Sequence, residues 1–230
     1  MLSGSNLRGA DLAKAQLPGA DLSGADLTAS ALSGSDLREA DLSGASLNRA
    51  NLCDADLRQA GLSRAQAVNA DFSRANLSLA DLSRATMTGA TLRNAALYRA
   101  CLKGAELDGA DLSGADLREA NMSQTESSRT DLSYADLTQA NLRLANLAHA
   151  DLKFTRLFRA HLGGADLHGA DLQAADLTGA DLRGADLTEA QLTTEQAASA
   201  VIDETTFLPA GLKPAGQPTG SSSRSEIKTH

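Results

Sequence analysis

From Leu2 to Leu192, every fifth residue is apolar with hardly an exception, and the residue two places before it is small. Ala110–Asp111–Leu112–Ser113–Gly114 followed by Ala115–Asp116–Leu117–Arg118–Glu119 shows the unit: Ala, Asp or Asn, Leu, then two mostly polar residues. At the Leu position the departures are Ala67, Phe72, Met87, Met122 and Ser127. At the Ala position they are Ser5, Ser30, Ser35, Thr125, Thr130 and Thr155, all still small. No insertion or deletion breaks the frame. Successive Leu on an α-helix would step round by about 140° and share no face. On a flat strand an odd step sends alternate Leu to opposite faces. Side chains that must all reach one core therefore need a backbone that turns with the repeat, and a fixed short period marks a solenoid. Each unit becomes a short extended side and a turn, with Leu and Ala inward. The frequent Gly at the last position, as in Gly9, Gly24, Gly44, Gly104 and Gly169, suits a turn with permissive dihedrals.

The period alone leaves open how many units close one coil. The tandem A(D/N)LXX pattern resembles the pentapeptide-repeat family over most of the chain. That resemblance implies an all-β solenoid, a right-handed quadrilateral β-helix with four pentapeptides per coil. Residues twenty apart would then stack directly, and about nine and a half coils at roughly 4.8 Å each would give a rod on the order of 45 Å long. The expected organisation is a β-helix over residues 1–192, a C-terminal cap over 193–212 and a disordered tail over 213–230.

The absence of Trp and the scarcity of other aromatics exclude an ordinary globular core. A net charge of −8 argues against direct binding to nucleic acid or an acidic membrane. No signal-peptide pattern opens the chain, no apolar run is long enough to span a bilayer, and a cytoplasmic setting is the default. Cys53 and Cys101 fall on different faces under four-unit coils, which disfavours a disulfide.

The repeat begins at the first residues, so the first coil presents an unpaired edge. That edge recruits another, or marks a truncated chain, or stands free; a homodimer through a terminal coil or the cap is one expectation. Ala67 thins the core near Phe72, whose larger ring compensates. Ser127, at a Leu position, needs a hydrogen-bond partner, so a bulge or a bound water is expected there. Thr193–Ala200 reads as a short helix with Thr193 or Thr194 as N-cap. Val201, Ile202, Phe207 and Leu208 are expected to fold over the last coil, with Pro209 stopping the element.

Catalysis needs a nucleophile, a base and an orienting group in a concave site, and a convex rod offers none. His149 and His168 share a side one coil apart, a weak metal pair at best. Cys53 and Cys101 have no His nearby, and no phosphate-binding loop appears. The chain therefore reads as a non-enzymatic protein with no cofactor and no metal.

Function then lies on the outer faces. Stacking by twenty puts Asp111, Asp131, Asp151 and Asp171 in one column and Glu106, Glu126, Asp166 and Asp186 on the adjoining side. Carboxylates spaced at about 4.8 Å repel one another and persist only if solvated, locally hydrogen-bonded or used. Their spacing is of the order of phosphates along DNA, roughly 3.4 Å per strand. The resemblance implies one use, because the Qnr-type and mycobacterial fluoroquinolone-resistance members bind DNA gyrase as duplex mimics. This chain lacks the large inserted loops of the Qnr-type pattern, and its terminal helix is short. Arg64, Arg84 and Lys103 lie on one side, and Arg38, Arg58, Arg99, Arg118, Arg156 and Arg159 decorate another. Tyr134 and Phe154 stack on one side, with Phe158 around the corner and Leu144 nearby; exposed aromatics on a polar rod suggest a protein contact. The leading expectation is a rigid rod that presents these side chains to a protein partner. The second is a DNA-mimicking binder of gyrase or topoisomerase IV. The plain alternative is a mixed solvated surface with an aromatic ladder that only stiffens the sheet.

Overall fold

A computed structural model describes residues 2–212. The expected disordered tail lies outside the described residues. Parallel bridges join positions twenty apart from Asn6↔Asp26 to Asp181↔Val201, and they fall into four columns. One column runs through Glu106, Glu126, Asn146 and Asp166, the next through Asp111, Asp131, Asp151 and Asp171. A third carries Asp116, Asp136, Arg156 and Asp176, and the fourth Cys101, Asn121, Asn141, His161 and Asp181. The chain is thus a four-sided parallel β-helix, one pentapeptide to a side.

Hydrogen bonding explains why the unit has five residues. Within the coil containing Asp116, Leu117 N–H donates to Asp136 O at 2.8 Å, Glu119 N–H to Thr138 O at 3.0 Å, and Asp116 N–H back to Ala95 O at 3.0 Å. The corner closes when Ala120 N–H donates to Leu117 O at 3.0 Å. In each such turn the third residue has a left-handed φ, as in Glu119 at 58° and Gly114 at 67°, which is the signature of a type II turn. Glycine suits this position, yet Arg, Gln, Tyr and Phe also occupy it. The strain of a left-handed L-residue, roughly 1–2 kcal/mol, is tolerated because both flanking bonds are locked into the coils on either side.

The interior is a column of Leu and Ala. Leu102, Leu107, Leu112 and Leu117, from four successive sides, are all fully buried. Phe72 and Ala67 share one coil and are both buried. Each hydroxyl at an Ala position donates to a carbonyl. Ser30 Oγ reaches Leu27 O at 2.7 Å, Thr125 Oγ1 Met122 O at 2.9 Å, and Thr155 Oγ1 Leu132 O at 2.9 Å. Ser127, at a Leu position, differs. No extra residue enters the ladder: Ser127 N–H keeps its bond to Asn146 O at 2.8 Å and the bridges Glu106↔Glu126↔Asn146 hold the register, but the corner is locally disturbed, with no bond from Thr130 N–H to Ser127 O among the described residues. Its Oγ is buried with no partner among the described residues. The frame survives because backbone pairing does not depend on the side chain. Ser127→Ala should therefore raise stability by about 1 kcal/mol by removing an unpaired polar atom, read as an upward shift of the thermal midpoint.

The repeat gives way to α1, Thr194–Ser199. Thr193 is the N-cap, and Thr193 and Gln196 form a capping box. Val201 and Phe207 do not fold inward as expected. They bridge to Asp181 and Asp186 and sit at outward positions, exposed. Ile202 and Leu208 take the inward places against the core. The reason is strand alternation: each pair continues the Asp–Leu step of the repeat. The spacing lengthens by one residue between Asp181↔Val201 and Asp186↔Phe207. α1 ends at Ser199, well before Pro209.

Candidate interaction surface

The Asp or Asn of each unit has a structural task. At this position every Asp and Asn from Asn6 to Asp186 accepts, through Oδ1, the N–H two residues on, as Asp131 does from Ser133 at 2.9 Å. Amide and carboxylate oxygens accept equally well, so Asp and Asn interchange. Among the longer side chains at this position, Gln66 and Glu126 leave that N–H to an acceptor in the preceding coil. In the Gln66 unit Val68 N–H donates instead to Asn48 Oδ1 at 2.9 Å. In the Glu126 unit Ser128 N–H donates to Asp108 Oδ1 at 3.0 Å. The aspartates of the acidic columns are therefore held by local hydrogen bonds whether or not a partner uses them.

The columns differ in what neutralises them. Asp111 is paired with Arg93, and Lys153 Nζ sits 2.8 Å from Asp151 and 3.3 Å from Asp171. Asp131 stands between them with no Lys or Arg in salt-bridge range among the described residues. The same holds for Glu106, Glu126, Asp166 and Asp186 on the adjoining side; Glu126 Oε2 accepts from Asn146 Nδ2 at 2.9 Å. On the third side most acids are paired by cations of the same side. Arg38, Arg58 and Arg118 fork onto Asp36, Asp56 and Asp116, each closing at 2.6 Å, and Arg156 lies 3.5 Å from Asp136. Arg64, Arg84 and Lys103 line one shallow hollow with Asp81, as their spacing implied.

The Arg38 fork holds the Asp36 carboxyl at about 2, and the Arg183 fork does the same for Asp181. A carboxyl depressed in the folded state contributes stability above its unfolded value of about 4. That contribution is lost as pH falls toward 2. An Asp36→Asn, Asp181→Asn double variant keeps both Oδ1 acceptors but loses the charge. It should melt below the parent at pH 7 and together with it at pH 2, followed by circular dichroism.

The aromatic residues fall on the corners. Tyr134 and Phe154 are stacked, with centroids 4.9 Å apart and planes 9° from parallel. They are 65% and 50% exposed. Both occupy left-handed turn positions, at φ 60° and 58°. The turn therefore throws the rings outward from the corner between the second and third sides. Phe158 is on the third side, half-buried, with Arg159 over its ring at 5.0 Å. Leu144 projects from the opposite corner. Two further large side chains stand outside the sequence-predicted surface: Tyr98, which carries Arg99 at 5.1 Å and Arg118 at 5.7 Å, and the exposed Leu79. Both were discoverable as large side chains at outward positions of polar columns.

Burial, then Asp71, pushes the Cys53 thiol up to about 11, the wrong direction for a nucleophile. His149 and His168 meet edge to face at 5.3 Å, and His168 Nδ1 bonds Thr188 Oγ1 at 2.9 Å. Among the described residues no group of His, Cys, Asp and Glu is arranged to hold a metal ion, and no helix is long and apolar enough to cross a membrane.

A four-sided solenoid with a filled core and chemically distinct outer walls defines a repeat protein of the parallel β-helix class. A model of pentapeptide repeats matches in eight copies, over residues 2–126, 128–164 and 165–193. The chain belongs to the pentapeptide-repeat family, whose fold is the right-handed quadrilateral β-helix. It is similar to HetL, a pentapeptide repeat protein involved in heterocyst differentiation regulation from the cyanobacterium Nostoc sp. strain PCC 7120. Identity is 37% over 84% of this chain and 88% of that one, with a TM-score of 0.52. QnrB1, a plasmid-mediated fluoroquinolone resistance protein, is 21% identical over 84% of this chain and 89% of its own, with a TM-score of 0.44. Rfr23 from the cyanobacterium Cyanothece 51142 is 32% identical over 47% of this chain and 63% of its own, with a TM-score of 0.22. No curated protein matches the chain.

Proposed function

We propose that this protein is a non-enzymatic rigid scaffold that contacts a protein partner through its outer walls. The contact is centred on Tyr134 and Phe154, with Phe158 and the flanking acids around it. The observation that carries this reading is the exposed, stacked aromatic pair on an otherwise polar rod. Holding two large apolar rings in water at left-handed corner positions is costly for the free protein, and burial against a partner recovers that cost. The relative HetL is a protein of differentiation regulation, a role compatible with action by contact.

Affinity capture with chemical cross-linking from the source cell tests the reading. A Tyr134→Ser, Phe154→Ser double variant should fold like the parent by circular dichroism yet retain at least about tenfold less partner. Equal retention, or turnover of a substrate by the purified protein, would count against it.

The finer alternative, a duplex mimic for gyrase or topoisomerase IV, draws on the unpaired acids Glu106, Glu126, Asp131, Asp166 and Asp186. Against it stands the neutralisation of Asp111, Asp151 and Asp171 by Arg93 and Lys153, which breaks the stripe where it would be longest. A supercoiling assay with and without a quinolone separates the two. The scaffold reading expects no effect at micromolar protein, and inhibition that vanishes on charge reversal at Asp131 and Glu126 would favour the mimic.

A further inference from the structure

The aromatic ladder has two ends, and they differ. The corner column runs Asn94, Gly114, Tyr134, Phe154, Ala174. On the Tyr134 side the space is occupied: a Cβ at Gly114 would meet Asn94 Oδ1 at 2.5 Å, so the Asn94 side chain already leans over that glycine. On the Phe154 side the next coil offers only the methyl of Ala174, which is exposed. One ring face of Phe154 thus looks along the rod into a notch one coil deep, about 4.8 Å, enough for one planar group.

The surroundings of the notch are acidic. On the two adjoining sides, over residues 131–140, 151–160 and 171–180, five aspartates (Asp131, Asp136, Asp151, Asp171 and Asp176) stand against three cations, Lys153, Arg156 and Arg159; Lys153 pairs with Asp151 and Asp171, and Arg156 with Asp136. Asp171 lies three residues before Ala174 and Asp176 two after it. Asp171 holds Gln173 N–H through Oδ1 at 3.1 Å and lies 3.3 Å from Lys153 through Oδ2. Asp176 holds Thr178 N–H through Oδ1 at 3.0 Å and is in no ion pair among the described residues, although the Thr178 hydroxyl, its backbone N–H and the Arg156 charge one coil away hold its carboxyl below the usual range. The rod also shows which group its rings accept. Tyr98 carries two guanidinium groups and Phe158 carries one, all supplied by the chain itself. The Tyr134–Phe154 pair, the most exposed rings of the repeat, has no guanidinium over it among the described residues.

We propose that the notch above Ala174 takes an arginine side chain of a protein partner. Its guanidinium continues the Tyr134–Phe154 stack and donates to Asp176, with Asp171 adding negative potential. Arginine suits the place better than lysine because its plane stacks on a ring while its edge donates to a carboxylate. This deepens the scaffold reading and rests on it, by naming the chemistry the partner brings.

Uniform Gly-Ser peptides carrying arginine, lysine or glutamate at matched positions are the probes, titrated into the full chain and followed by NMR. The arginine peptide should shift the Phe154 and Ala174 resonances and bind at least about threefold tighter than the lysine peptide. Phe154→Ser should remove that preference and Asp176→Asn should weaken it. Equal binding of arginine and lysine peptides, binding unchanged by Phe154→Ser, or no binding at millimolar peptide overturns the proposal. So does self-association in sedimentation that Phe154→Ser abolishes, since the occupant is then a second copy of the chain. The two readings fail separately. If the ladder captures a partner that the arginine peptide does not displace, the arginine assignment falls and the scaffold stands. If ladder variants leave capture intact, the scaffold reading at this corner falls.

Discussion

Leu117→Asp is expected to unfold the middle of the rod. Leu117 is fully buried, with Leu97 and Leu137 above and below it in the same wall. A carboxylate there has no partner in a column of methyl groups. Its desolvation costs several kcal/mol, beyond the lost burial of a leucine, against a total stability of about 5–15 kcal/mol for an ordinary domain. Leu117→Ala grades the effect at about 2–5 kcal/mol, because only a cavity is left. Each coil contacts only its neighbours, so the damage should spread outward from the centre. Hydrogen exchange followed by mass spectrometry reads this directly. Protection should be lost first over residues 97–137 and last near the ends. Uniform, simultaneous loss along the whole chain would show that the rod is a single cooperative unit instead.

Gln196→Ala should open the C-terminal end. This one side chain does the work of a missing strand. Its Nε2 donates to Leu172 O at 2.7 Å and to Ala175 O at 2.8 Å, carbonyls facing the place where the fourth pentapeptide of the last coil would lie. Its Oε1 accepts from Thr193 N–H at 2.8 Å to close the capping box. Loss of three hydrogen bonds at about 1 kcal/mol each, with part of the cap, gives an expected cost of about 2–4 kcal/mol. Gln196→Glu is the sharper test, since it keeps the acceptor for Thr193 but turns an oxygen toward two carbonyls. It should destabilise at neutral pH at least as much as the alanine. Exchange should quicken over residues 172–200 and remain unchanged near Leu52. A glutamate variant as stable as the parent would remove Gln196 from this role.

The frame of the molecule was legible because its cause is local and repeated. Leu and Ala every five residues force inward turns, and once four units close a coil every outer residue has an address. Tyr134 over Phe154 and the stacked columns of Asp and Glu follow from that address alone. What the frame could not specify is where flexible side chains go. Lys153 bridging Asp151 and Asp171, and Arg118 turning both to Asp116 and to the Tyr98 ring, depend on rotamers that sequence spacing does not fix. The Asp ladder was open to a functional reading because its hydrogen bonds run to backbone N–H groups, which a side-chain pattern does not display. In the cap, hydrophobicity does not mark the inward positions. Val201 and Phe207 are apolar yet stand at outward positions, because strand alternation continues from the repeat into the cap. Ser127 shows the converse, a polar residue held inside by a backbone register that its neighbours impose.

Cysteine cross-linking tests the four-unit coil most directly. In a background with Cys53 and Cys101 replaced by Ser, the pair Gln66→Cys, Thr86→Cys lies on one bridge of the first wall. A short bis-electrophile spanning about 5 Å should join it rapidly, the distance being that between neighbouring strands. The pairs Gln66→Cys, Asp81→Cys and Gln66→Cys, Thr91→Cys fall on adjoining walls and should stay unjoined. Rapid closure of either of those pairs, with the twenty-residue pair left open, would mean that the backbone does not wind four pentapeptides to a turn.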